Sequence, residues 1–347
     1  MDRRPLRTAS PVTSGHVHVI GAGLAGLATA VALTDAGIGV TLYDGAQQAG
    51  GRCRSYDDKH LDARIDNGNH LMMAANSAID SFLTTVGAPE GLYRAPEARF
   101  DFLDLTSGDR WQVRPNRGPL PWWVLSPGRR VAGAGAMAHV RAAGLLMCRR
   151  DDRITDCVPR VGPLYDRFIL PLTEAVMNCG PDQAAASLMR RVLVETFGKG
   201  EAACRPWIAK QGLSEALVDP ALTYLAAHRV AIRYGQRLTH LAVQDGRVGQ
   251  LTFAKERHPI GRSDAVVLAL PADKTARLVD CPAPEGAVPI VNVHFKLDSP
   301  QSAPGAPRFL GLVGGTAHWI FRRERLASVT VSNAGRLAAQ DNGAIAA

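Results

Sequence analysis

The chain has 347 residues, 46% of them hydrophobic, enough to bury a sizeable core and to form two domains or one large composite one. Its formal net charge of +8 comes partly from the doublets Arg129-Arg130, Arg149-Arg150, Arg190-Arg191 and Arg322-Arg323; with 6% aromatic residues and no nucleic-acid motif beside them, no nucleic-acid partner is expected, which leaves a solvated basic surface or attraction to anionic lipid headgroups. Six scattered cysteines without a C-x-x-C pair argue against a metal site or a disulfide framework and for a reducing compartment, the cytoplasm.

Residues 1–15 form a basic tail. Behind it stands a glycine-punctuated strand and helix rather than the apolar core of a leader, so a signal peptide is not expected. No apolar run approaches the roughly 18 to 20 residues of a spanning helix, so any membrane contact is peripheral. Residues 16–20 read as a buried parallel strand feeding the stretch VIGAGLAGLA at 19–28. From Leu24 the apolar positions Leu27, Val31 and Leu33, set among alanines, mark a helix that stops at Gly37, and GVTLYD at 39–44 is a second strand. Together they make a βαβ unit, the context in which a G-x-G-x-x-G spacing carries weight. Gly21 allows the tight turn, Gly23 lets backbone approach a pyrophosphate, and Gly26 permits close helix-to-strand packing. Leu24 and Ala25 lie at the helix start, where free N–H groups and the positive dipole end face phosphate. Asp44 ends the second strand, placed to accept bonds from a ribose.

The arm that follows separates one dinucleotide from another. AGGRCRS at 49–55 and RIDNGNHL at 64–71 answer no need of an NAD dehydrogenase, whereas a flavoprotein runs its extended chain back along the pyrophosphate and ribityl chain of FAD. Gly50 and Gly51 let the backbone pass close, and Arg52 presents charge and a fork of donors. From residue 77 the pattern changes to mixed strands and longer helical segments, including DRFILPLTEAVMNC and AAASLMRRVLVETFG. Alternation then returns in RLTHLAVQDGRVGQLTF on both sides of Asp245-Gly246, a hairpin dipeptide, and DAVVLALPA supplies another buried strand at 265–270. The expected class is α/β: a Rossmann-like FAD-binding domain, discontinuous at 16–76 and 228–285, with an inserted mixed α+β substrate-binding domain at 77–227 and 286–347.

VIGAGLAGLA, AGGRCRS, RIDNGNHL, DAVVLALPA and GLSEALVDPAL together resemble the amine-oxidase and phytoene-desaturase group of flavoproteins. Within it, DNGNHL, RPNRGPLPWWVL and GLSEALVDPAL most resemble the squalene-associated FAD-dependent desaturases, the bacterial hydroxysqualene dehydroxylases of hopanoid biosynthesis. The likeness runs from about residue 16 to the end. It implies FAD as cofactor, with Asn67, Gly68 and Asn69 as backbone or flavin hydrogen-bonders and Val243 among the cofactor-binding positions. It also implies a further segment with a Gly-Asp pair at a strand-to-helix junction. The only Gly-Asp here is Gly108-Asp109, in an expected turn, so the sequence reads as lacking that contact.

The implied substrate is hydroxysqualene, an isoprenoid allylic alcohol, and the implied product is squalene. The hydroxyl leaves as water and hydride comes from reduced FAD, so the protein has to supply orientation, an apolar tunnel and a proton. His70 and Asp66 are the catalytic candidates, His70 because an imidazole titrates near neutrality. The alternative for both is a hydrogen bond to backbone or cofactor. PLPWWVLSP at 119–127 has two readings: a loop placing Trp122 and Trp123 in a membrane interface, or burial in the substrate domain. Met177, Leu188, Met189, Val192, Leu193 and Phe197 form an apolar face shared between core and tunnel, and Cys179 reads as a buried thiol. An oxidative desaturase or amine oxidase of the same fold, or an incompetent chain beside squalene-synthase-like enzymes, are the competing functions.

Overall fold

The computed structural model describes residues 15–254, 256–284, 286–299, 308–341, 343 and 345. The tail expected at 1–15 therefore lies outside the described residues except for Gly15. The chain divides into two units, the first within Met1–Ser55, Asp80–Pro89 and Leu213–Glu285, the second within Tyr56–Ile79, Glu90–Gly212 and Gly286–Ala347.

In the first unit four parallel strands lie in the order Ala231–Arg233, Gly39–Tyr43, His16–Ile20, Ala265–Leu268. Alternation along the strands sorts the core into two faces. Val19 and Leu42 pack with Leu27 and Val31 of helix Leu24–Asp35 and with Ala221 and Leu225 of helix Asp219–Ala227. Leu27 and Leu42 are fully buried, each contributing on the order of 2 kcal/mol. Ile20 and Tyr43 pack instead against Leu238, Leu241, Leu251 and Phe253 of an antiparallel ribbon. That ribbon is the expected hairpin: Asp245 and Gly246 have φ of 51° and 72°, both positive as its tight turn requires. Strand Ala265–Leu268 is half-buried where full burial was expected, because it stands at an edge of the described sheet.

The division differs from the boundaries read in the sequence at 76/77 and 227/228. GLSEALVDPAL goes with the first unit, since Val218, Ala221 and Leu225 fill the space beside Leu27 and Val31. Phe82 and Val86 join the same core and take residues 80–89 with them. Residues 56–76 go with the second unit, where Met72–Met73 pairs with Pro206–Ala209 and Asp66 pairs with Arg323.

The second unit is built on a six-stranded sheet in the order Val291–Lys296, Leu326–Val331, Trp319–Arg323, Phe309–Val313, Phe100–Asp104, Arg110–Val113. Only Phe309–Val313 and Phe100–Asp104 run parallel. Phe102 stacks on Trp111 at 5.4 Å, and Gly311 is required beneath it, since a Cβ there would sit 2.4 Å from the Phe102 ring. Met189 of helix Ala186–Glu195 is buried in this core, and Met177, Val192, Leu193 and Phe197 pack against it. Leu188 does not; it is exposed, so the expected apolar face is narrower than the sequence suggested.

Candidate functional site

The first glycine turn is fixed by backbone approach. Gly21 turns at φ 107° and its amide donates to the carbonyl of Tyr43 at 2.7 Å. A Cβ on Gly21 would lie 2.6 Å from the carbonyl oxygen of Ala269, and one on Gly26 1.7 Å from that of Gly21. Gly23 is different: its φ is −70° and nothing lies within 4 Å of where a Cβ would stand. The space there is open, directly before helix Leu24–Asp35. No side chain caps this helix, and the first-turn amides of Leu24, Ala25 and Gly26 have no acceptor inside it. Asp44 braces the turn, Oδ2 accepting from the amide of Ala22 at 2.6 Å and Oδ1 from that of Ala46 at 2.7 Å. A carboxylate accepts about four bonds, so lone pairs remain for ribose hydroxyls.

The arm runs alongside this turn. The amide of Gly50 donates to the carbonyl of Ala22 at 2.8 Å, and Gly23 and Gly50 form a parallel bridge. Gly50 and Gly51 have φ of 102° and 53°, and a Cβ on Gly51 would stand 3.2 Å from Cα of Gly23. Arg52 is exposed in the tight turn Gly51–Cys53. Arg54 points elsewhere: its Nε is sealed from solvent and has no hydrogen-bond partner. A buried donor left without an acceptor is costly, which marks a place for an acceptor from outside the chain. Ser55 then locks the arm down, its amide donating to Oγ of Ser214 at 2.7 Å while the amide of Ser214 donates to Oγ of Ser55 at 3.0 Å. Val243 is not brought to this corner; it is exposed at a register shift in the ribbon. The same strand approaches the corner at its other end, where Arg237 lies against Gly45 and Leu238 is buried.

In the second unit, residues 66–70 are held by side chains. Asp66, buried, forms an ion pair with Arg323 at 3.1 Å, and the same guanidinium donates to the carbonyl of Gln211. Nδ2 of Asn69 donates to Oγ1 of Thr330 at 2.9 Å and to Oδ1 of Asn292 at 3.3 Å, and Thr330 in turn donates to Asn292 at 2.8 Å. Gly68 sits against Asn292, while Asn67 and His70 are exposed. Nδ1 of His70 is 3.0 Å from the carbonyl of Gly68; a carbonyl only accepts, so Nδ1 carries the proton and Nε2 of the neutral ring is an acceptor. A partner of Asp66 is thus the Arg323 side chain, which neither sequence reading named.

Sequence reasoning missed Arg54, Arg323 and His294. His294 lies 2.7 Å from Oγ of Ser328, and burial, then the charge of Arg323, holds its pKa below the ordinary value. A signal was present: every second residue of VNVHFK is polar, as are Ser328 and Thr330 in LASVTV, and the register sets Asn292 opposite Thr330 and His294 opposite Ser328.

The family described as flavin containing amine oxidoreductase matches residues 24–330 of this chain. The chain belongs to that family. A hydroxysqualene dehydroxylase of Rhodopseudomonas palustris is 41% identical over 323 residues, 92% of this chain and 77% of the relative. Its counterpart from Sinorhizobium fredii is 38% identical over 93% of this chain and 77% of the relative. An oxidoreductase from Methanosarcina mazei superposes with a TM-score of 0.65 at 15% identity, covering 91% of this chain and 79% of that one, a likeness of fold.

The residues of this amine oxidoreductase suit a flavin. The open side of Gly23, the uncapped helix start and the orphaned Nε of Arg54 all fall within the first unit and all lack what a diphosphate would supply, negative charge and acceptor oxygens. Elsewhere the structure divides the tryptophan pair. Trp123 is buried near His139 and Phe197, whereas Trp122 is 62% exposed. Cys179 is half-buried with its thiol pKa raised by burial, and the pKa of the buried Cys204 is pushed up to about 12. Among the described residues no helix is long and apolar enough to cross a membrane.

Proposed function

We propose that this chain is a FAD-dependent hydroxysqualene dehydroxylase, removing the allylic hydroxyl of hydroxysqualene reductively to give squalene and water. The observation that carries the reading is an open anion cradle at Gly23 in a chain 38% to 41% identical to hydroxysqualene dehydroxylases along nearly its whole length. Phytoene desaturases match at only 22% to 24%, so an oxidative desaturase is not favoured.

The first unit is the FAD-binding domain in this reading. Gly21 and Gly26 shape the turn, and the amides at Gly23, Leu24 and Ala25 hold the diphosphate. Asp44 takes the ribose. Gly50 and Gly51 admit the cofactor along the arm, and Arg52 and Arg54 supply guanidinium donors. The second unit binds substrate, its network of Asp66, Arg323, Asn69, Thr330 and Asn292 fixing the segment that carries Asn67, Gly68 and His70. Bound FAD, once reduced, supplies the hydride that replaces the hydroxyl. His70 provides the proton that leaves with the hydroxyl as water. Because Nδ1 is committed to Gly68, His70 delivers from Nε2 only as the imidazolium. The substrate is a lipid, so the protein works peripherally at the inner face of the cytoplasmic membrane, beside squalene-synthase-like enzymes.

Anaerobic incubation of the reduced holo-protein with hydroxysqualene should yield one squalene per flavin oxidised. A preparation that stays colourless with FAD, or one that leaves hydroxysqualene intact, would overturn the reading.

A further inference from the structure

Residues 110–150 contain eight arginines and no aspartate or glutamate. Acids make up 32 of the 347 residues, so an even share for such a stretch is about four. The stretch folds into three short helical pieces, the turn Trp122–Leu125, the helix Ala136–Ala142 and the turn Ala143–Met147, with the helix touching both turns. Trp123, Val131, Ala134 and Leu145 fasten them to the core of the second unit. Their outward side is apolar as well. Leu120, Trp122, Leu125, Met137, Val140 and Met147 are each at least 58% exposed. Arg141, Arg149 and Arg150 are exposed among them, with no carboxylate within ion-pairing distance among the described residues.

We propose that this layer is a docking surface for the anionic face of a lipid bilayer, with Trp122 as its apolar anchor and Arg141, Arg149 and Arg150 as its headgroup contacts. Outward apolar side chains lose free energy to water unless something covers them, and a protein partner would be expected to bring carboxylates or a matched apolar face. Asp151 and Asp152 follow Arg150, and Asp152 accepts from the amide of Arg149 at 2.7 Å, but no carboxylate pairs with the guanidinium groups of Arg141, Arg149 or Arg150 among the described residues. Guanidinium groups interleaved with tryptophan, leucine and methionine match a headgroup boundary, where acyl chains take the apolar groups and phosphates take the guanidinium groups. The indole suits that depth because its ring is apolar and its N–H stays wet. The inference rests on the dehydroxylase reading only for its purpose, the capture of an isoprenoid substrate from the membrane; the surface itself stands on charge and exposure.

The test is flotation of the full holo-protein with vesicles of phosphatidylcholine alone or mixed with phosphatidylglycerol. Binding is expected to the anionic vesicles, to fall with salt, and to weaken roughly fivefold for each arginine removed in Arg149→Gln with Arg150→Gln. Trp122→Ser should weaken it further. Brominated acyl chains should quench tryptophan emission in the parent protein and lose that fraction of the quench in Trp122→Phe. Turnover of detergent-dispersed hydroxysqualene should stay unchanged in all these variants, so a failure here leaves the dehydroxylase reading standing, and loss of detergent turnover in the parent tests that reading alone. Equal partition onto neutral and anionic vesicles, or partition indifferent to both sets of substitutions, would overturn the proposal.

Discussion

The glycine turn of the first unit and the segment 66–70 of the second both carry residues singled out in the sequence, yet they are held by different means. In the turn, backbone lies on backbone: Gly26 against the carbonyl of Gly21, Gly50 on Ala22, Gly51 beside Gly23. In the segment, side chains reach across to a sheet: Asp66 to Arg323, Asn69 to Thr330 and Asn292. Backbone approach tolerates one residue type, so it writes itself into the sequence as spaced glycines. Side-chain anchoring depends on partners more than 200 positions away and leaves no local pattern.

The sharpest way to break this comparison is a pair of substitutions three residues apart, at Gly23 and Gly26. Gly26→Ala forces a methyl into the carbonyl of Gly21 and should cost about 3 kcal/mol or more, with flavin lost. Gly23→Ala meets no protein atom and has an ordinary φ, so thermal stability should change by less than about 0.5 kcal/mol while flavin absorbance after purification falls. Full flavin retention in Gly23→Ala would show that the open space is not the diphosphate cradle.

Next in size is the segment's anchor. Asp66→Ala leaves the half-buried Arg323 with the carbonyl of Gln211 but without its carboxylate, which should cost about 1 to 3 kcal/mol, read as a lowered denaturant midpoint. Asp66→Asn separates anchoring from chemistry. If Asp66 only positions the segment, the folded, flavin-loaded fraction of Asp66→Asn should turn over normally; a loss of kcat at full flavin loading would restore it as a proton donor.

Legibility followed the same division. The βαβ unit, the twin-glycine arm and the Asp245-Gly246 hairpin were readable because turn chemistry is local. The unit boundary at 285/286 was readable too, but those at 76/77 and 227/228 were not: GLSEALVDPAL follows the middle segment in the chain, and only Ala221 and Leu225 packing on Leu27 and Val31 reveal where it belongs. Arg52 stands beside the glycines and is the more conspicuous in sequence, yet it is Arg54 whose Nε is buried. Trp122 and Trp123 are adjacent and chemically identical, so composition could not divide them; the tight turn Trp122–Leu125 sends one inward and one out.

His70 tests whether the segment's exposed tip does chemistry that its anchored base does not. Removing a general acid typically costs about 100-fold, so His70→Ala should lower turnover to that degree with bound FAD unchanged. Unaltered turnover would leave His70 as a hydrogen bond to Gly68 and nothing more.

The smallest effect distinguishes neither unit from the other, since both bury histidine. Burial lowers the pKa of His18 in the first and of His139 and His294 in the second, each below the ordinary 6.5. As pH falls below that value the unfolded chain takes up protons that the folded chain resists, so stability rises with pH across this window and is complete above it. The slope is at most about 1.4 kcal/mol per pH unit for each proton withheld. Urea midpoints should therefore fall from pH 7 to pH 5. His294→Asn should flatten that fall, because it removes one of the three groups while an amide can still meet Ser328. A profile as steep in His294→Asn as in the parent would mean that His294 is charged in the folded state, with Asp66 and Asp58 outweighing burial and Arg323.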